Sequence, residues 1–115
     1  DVVRLRCLAA SIRVADSIKE YVVDLVRASR DPEAYGLGLA PLIDLGASPR
    51  ATISLVRAAR AHALLSQRDY VTPHDVKSLA RDVLRHRVVV SYEADAEGMT
   101  VDDVLGKILD HIPVP

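Results

Sequence analysis

Apolar residues recur along this chain at steps of three and four, the spacing that gives a helix one apolar face. In residues 1–12 the stripe is Leu5, Leu8, Ala9 and Ile12, and it predicts a helix with no cap before it, as at the cut edge of a longer protein. Asp16 is an expected N-cap, and Ile18, Val22, Leu25, Val26 and Ser29 continue from it as a second stripe. Between Arg30 and Ala47 the pattern breaks at Pro32, Gly36, Gly38, Pro41 and Gly46, which predicts a long loop. Loops of that length in compact domains are more often functional than decorative.

The stripe resumes abruptly after residue 47. Ser48 is the expected N-cap and Pro49 the first helical residue of a helix over residues 49–66, with Ile53, Val56, Ala59, Ala63 and Leu64 on its apolar face. Tyr70 and Val71 are extended-type residues. Thr72, Pro73 and Asp75 then supply a cap, a first-turn proline and a first-turn acid for a helix carrying Val76, Leu79, Ala80, Val83 and Leu84. Val88, Val89, Val90 and Tyr92 suit a short strand, for which the brief segment Tyr70 to Thr72 is the one convincing partner, so either an extended connector or a minimal two-stranded patch is expected. After polar residues 93–98, Thr100 and Asp103 open a last helix with Val101, Val104, Leu105, Ile108 and Leu109, ending near His111 and before Pro113. The pattern predicts an all-α domain, a small bundle of about four main helices with at most a minimal two-stranded β element.

Composition narrows the class. The 115 residues suffice for one core without disulfides or metals. Half are apolar, yet Phe and Trp are absent, so Leu, Val, Ile and Ala fill the interior, as suits helix packing. Fifteen basic and 16 acidic side chains leave a formal charge of -1, which gives no global attraction to nucleic acid or anionic lipid. Cys7, among Leu5, Leu8 and Ala9, is expected to be a small buried thiol in a reducing setting. No apolar run approaches the ~20 residues of a membrane span and no signal segment is visible, so a cytoplasmic protein is expected.

One charge contradicts its surroundings. Arg50 falls in the first turn of a well-marked helix, where the positive end of the helix dipole favours an acid and a cation forfeits roughly 0.3 to 1 kcal/mol. A break of local rules at a single residue marks a candidate for function. Two readings fit: Arg50 reaches solvent or pairs with an acid such as Asp44, or it joins the helix amides in binding an anion such as a phosphate oxygen. Arg57 and Arg60 share part of its helix face, ordinarily a solvated one.

Other constellations carry less. His62, His74, His86 and His111 lack metal-ligand spacing, and Cys7 has no second cysteine beside it, so no metal site is expected. His86, between Arg85 and Arg87, suits the carbonyl end of a helix. The scattered serines form no G-x-S-x-G elbow.

Several strings occur in order: Leu45-Gly46-Ala47-Ser48-Pro49-Arg50-Ala51, Arg57-Ala58-Ala59-Arg60-Ala61, Arg68-Asp69-Tyr70-Val71-Thr72-Pro73-His74-Asp75-Val76-Lys77, Val83-Leu84-Arg85-His86-Arg87-Val88 and Pro113-Val114-Pro115. Together they resemble, over nearly the whole chain, the C-terminal lid of AAA+ ATPases of the MoxR type. The resemblance implies that residues 1–115 are a lid domain from a longer chain and that Arg50 is the sensor-two arginine. With the adjacent Ala51, and with Tyr21 as a wall for adenine or simply as core, Arg50 would serve a site for ATP and Mg²⁺. It implies an N-terminal α/β domain bearing the phosphate loop. No G-x-x-x-x-G-K-[ST] string occurs in these residues, so the chain alone is expected neither to hold ATP tightly nor to hydrolyse it. The partners implied are that large domain, neighbouring subunits of a homo-oligomeric, hexameric ring, and proteins with von Willebrand factor A domains, in chaperone-like remodelling or maturation. Thr72-Pro73-x-Asp75-Val76 also resembles helix starts in histone-like folds. The alternative is therefore a small DNA-binding or dimerisation module, against which stand the near-neutral charge and the lack of a basic recognition helix.

Overall fold

The computed structural model describes residues 2–115, and their side chains except at positions 5, 6, 9 and 10. Leu5 and Ala9 of the first expected stripe therefore lie outside the described residues. In chain order the helices are α1 (Val2–Ser11), α2 (Asp16–Arg30), α3 (Arg50–Leu65), α4 (Pro73–Leu84), the short α5 (Tyr92–Ala96) and α6 (Val101–His111). Two strands, β1 (Ile43–Leu45) and β2 (Val89–Val90), form a two-stranded antiparallel sheet. The architecture is the expected helical bundle with a minimal β element.

The core lies between α2, α3, α4 and α6. All five residues of the second stripe are buried on α2, together with Tyr21 and Ala28. On α6 the buried residues are Val104, Leu105, Gly106, Ile108 and Leu109. Fully burying a side chain such as Leu25 or Leu105 is worth about 2 kcal/mol. Helix α3 packs most extensively on α4, and alanines on both buried faces, Ala59, Ala63 and Ala80, suit a close approach.

Several expectations change in detail. The buried face of α3 is Ala51, Leu55, Ala59 and Ala63, whereas Ile53 is 55% exposed; contact with α2 and α4 rotates the helix by part of a turn from its most apolar stripe. Ala15, not Asp16, occupies the cap of α2 and makes no side-chain bond, so Asp16 is the first-turn acid. The long segment of residues 30–47 is built rather than irregular. It contains 3₁₀ turns at Pro32–Tyr35 and Ala40–Leu42 and then β1. β2 pairs with β1 through Ile43 opposite Val90 and Leu45 opposite Val89, and not with Tyr70, which instead forms a parallel bridge to Arg13. Tyr92 belongs to α5, not to the strand. Cys7 is exposed rather than buried, as are Val2, Val3 and Leu8, because α1 makes its main contact along α3 and these residues lie away from it.

The helix starts marked by threonine hold as expected. Thr72 with Asp75, and Thr100 with Asp103, each form a reciprocal capping box.

Candidate functional site

The approach to Arg50 begins on α2. Ser29, fully buried near the end of that helix, donates its hydroxyl to the Val26 carbonyl at 2.6 Å and accepts from the Ala47 amide at 3.0 Å. Gly46 passes so close to α2 that a Cβ there would stand 2.3 Å from the Ser29 carbonyl oxygen and 2.6 Å from the Arg30 Cα. Only glycine fits this crossing. Ala47 is itself buried, and α3 begins three residues later.

The start of α3 differs from the expected cap. Pro49 occupies the cap position in a helical conformation, and no side chain caps the helix. The Ala51 amide turns back to the Ser48 carbonyl at 2.9 Å and the Thr52 amide to the Pro49 carbonyl at 3.1 Å. An anion here would therefore be met by the Arg50 guanidinium more than by a cluster of open amides. Arg50 is the first helical residue, and its first turn holds no acid. Its side chain is exposed, and among the described residues it makes neither a hydrogen bond nor an ion pair, with Asp44 or any other acid. Ala51 turns its methyl group into the core.

A second cation approaches the same helix. Arg87 Nη2 donates to Ser54 Oγ at 3.2 Å, one turn beyond Arg50. The sequence pattern could not single out Arg87, because the turn after α4 comes back to α3 only through tertiary packing. Arg57 is exposed, but Arg60 does not share that solvated face. It lines a groove of about 620 Å³ with Arg13, Lys19 and Tyr70, and its Nε is buried without a hydrogen-bond partner among the described residues. His86 is exposed, and the cation tying down the end of α4 is Arg85, bonded to Asp102 at 2.8 Å and Asp82 at 3.0 Å.

Tyr21 lies in the core with 2% exposure, and its hydroxyl has no hydrogen-bond partner among the described residues. Burial pushes its pKa up, so the phenol stays protonated. It sits eight residues before Ser29 on α2, roughly 12 Å along the helix axis.

Elsewhere the densest polar cluster surrounds Asp75. Its buried carboxylate accepts both terminal nitrogens of Arg68 at 2.6 and 2.5 Å, the Thr72 amide at 2.7 Å and His62 Nδ1 at 2.6 Å. Burial alone would raise its pKa, but the Arg68 guanidinium, the Thr72 amide and the His62 ring more than offset this and hold it well below the ordinary carboxylate range. Every oxygen is engaged within the fold, so this cluster ties α3 to α4 rather than facing a ligand. Among the described residues, no group of three or more His, Cys, Asp or Glu is arranged to hold a metal ion, and no helix is long and apolar enough to cross a membrane.

Comparison with known proteins gives this geometry a context. The AAA lid domain family matches residues 39–108. The chain is 40% identical to the chaperone MoxR1 of Mycobacterium tuberculosis, over all of this chain and 31% of that protein. It is 38% identical to the protein MoxR of Paracoccus denitrificans, over 96% of this chain and 36% of that one. A crystal structure of a candidate ATPase from Cytophaga hutchinsonii superposes with a TM-score of 0.90 at 39% identity, covering 95% of this chain and 33% of that one. The chain thus spans about a third of the length of each of these proteins. A family match over residues 39–108, more than half of the chain, with relatives aligned over all or nearly all of its length, leads to one assignment: the chain belongs to the AAA lid domain family, in the form found in MoxR proteins.

Proposed function

We propose that this lid works within a longer AAA+ ATPase chain, where Arg50 reaches the γ-phosphate of ATP bound with Mg²⁺ mainly by a separate α/β domain. The observation that carries this reading is an exposed arginine with no hydrogen-bond or ion-pair partner among the described residues, held at the first residue of a helix whose entry is pinned to the core. A guanidinium kept free of local acids remains available for a forked contact to phosphate oxygens. Loss of the γ-phosphate removes a charge-assisted contact worth ~1.5 to 3 kcal/mol, enough to bias rotation of the lid against the large domain without locking it. Ala51 would contribute backbone only, and Tyr21 would back the adenine side from within the core. Val2, Val3 and Leu8 expose apolar surface on α1 that a further domain would cover.

The whole protein, on this reading, is a cytoplasmic, bacterial, chaperone-like remodelling or maturation ATPase. It assembles as a homo-oligomeric, hexameric ring and acts beside partners with von Willebrand factor A domains. The test is Arg50→Ala in the full-length protein. ATP turnover is expected to fall by about ten-fold or more, while thermal unfolding of the lid stays unchanged. Wild-type turnover in that variant sinks the proposal.

A further inference from the structure

Arg50 stands on an uncapped helix start and has no partner among the described residues to fix its direction. Two residues separate Arg50 from the anchored Ala47 before it. Ala47 is buried and its amide is bonded to the Ser29 hydroxyl, Pro49 has its φ locked at −56°, and on the far side Ala51 is buried again. Gly46 lies against the Ser29 carbonyl and the Arg30 Cα with no room for a side chain. Among the described residues, the polar tie across this crossing is Ser29, whose hydroxyl uses its proton on Val26 and a lone pair on Ala47. Removing it would leave the buried Ala47 amide without its partner and free the entry to α3 to shift. A shift of about 1 Å in a reacting or binding group is enough to cost a large part of its effect.

We infer that Ser29 is a positioning residue for Arg50: by holding the Ala47 amide, it sets the start of α3 and hence where the guanidinium is presented. This rests on the assignment of Arg50 to the γ-phosphate. Ser29 is fully buried, so its influence would be routed through Arg50 and vanish when Arg50 is absent.

The experiment is a double-mutant cycle in the full-length protein with Ser29→Ala, Arg50→Ala and the pair. It reads the ratio of affinities for a non-hydrolysable ATP analogue and for ADP, together with thermal unfolding. Arg50→Ala is expected to lower the ratio by about ten-fold or more, and Ser29→Ala by about three- to ten-fold. The pair should be no lower than Arg50→Ala alone. A merely structural role for Ser29 would lower the melting temperature and leave the ratio intact. Should Ser29→Ala fail to fold, Ser29→Cys, which keeps the size and weakens the hydrogen bond, carries the same measurement. An unchanged ratio in the Ser29 variant, while Arg50→Ala lowers it, overturns the positioning role alone. So does a Ser29 effect that persists in full without Arg50. An unchanged ratio in Arg50→Ala overturns the γ-phosphate assignment itself, and the role of Ser29 with it.

Discussion

Arg68 grips both carboxylate oxygens of Asp75, a side chain with no exposure to solvent, while Arg68 keeps 23% of its own. The pair joins the turn after α3 to the first turn of α4, and Asp75 also closes the capping box with Thr72. One carboxylate therefore serves as helix cap, ion-pair partner and bridge between two helices, so the fold depends on it at several points at once.

Asp75→Ala is expected to destabilise the chain by about 2 to 3 kcal/mol. Breaking a buried pair typically costs more, but Arg68 and His62 keep partial contact with water and recover some hydration. Denaturant unfolding of the 115-residue chain measures this; a loss under about 1 kcal/mol, the value of a cap alone, would show that the pair contributes nothing.

The same carboxylate sets an acid limit. Its folded pKa lies below the ordinary value near 3.9, so the unfolded chain binds its proton more readily. The stability it supplies is fully present above about pH 5 and is lost as the pH falls through 4 toward the folded value. Asp103, held low chiefly by the Thr100 amide, acts in the same direction. Unfolding free energy followed from about pH 6 down to pH 2 should fall in the wild type and fall less steeply in Asp75→Ala. Parallel curves would exclude Asp75 as the source.

Gly46→Ala forces a methyl group onto the backbone of α2, within 2.3 Å of an oxygen that cannot swing aside. A loss of about 2 kcal/mol or more is expected. Gly36, with open space around it but a φ of 68°, strains an alanine by its backbone alone, so Gly36→Ala should cost about 1 kcal/mol. Equal melting temperatures for the two variants would contradict the close crossing at Gly46.

Tyr21→Phe removes a buried hydroxyl that has no hydrogen-bond partner among the described residues. Stability should stay unchanged or rise by up to about 1 kcal/mol. A loss greater than that would mean the hydroxyl is satisfied within the fold. If Tyr21 backs the adenine by shape, nucleotide affinity of the full-length protein should survive this change.

The resemblance of the Thr72 helix start to histone-like folds has a local cause. A threonine cap, a first-turn proline and an acid at the third position form a capping box that any helix can use, so that string alone could not separate two folds. The order and spacing of strings across the chain could, and these agree with the family match at residues 39–108.

What the chain determined by itself is the set of longer helices, the short α5 excepted. Helical periodicity, threonine caps and first-turn acids act over four or five residues, so α2, α4 and α6 were legible from Ile18 through Leu109, as was the odd charge of Arg50. Tertiary structure alone decided that Ile43 to Leu45 pairs with Val89 and Val90, that Ile53 faces outward while Leu55 is buried, that Cys7 is exposed, and that Ser29 meets Ala47. Each of these joins residues far apart in sequence or depends on which neighbour covers a face. Such contacts are set by how whole helices pack, and no local pattern encodes them.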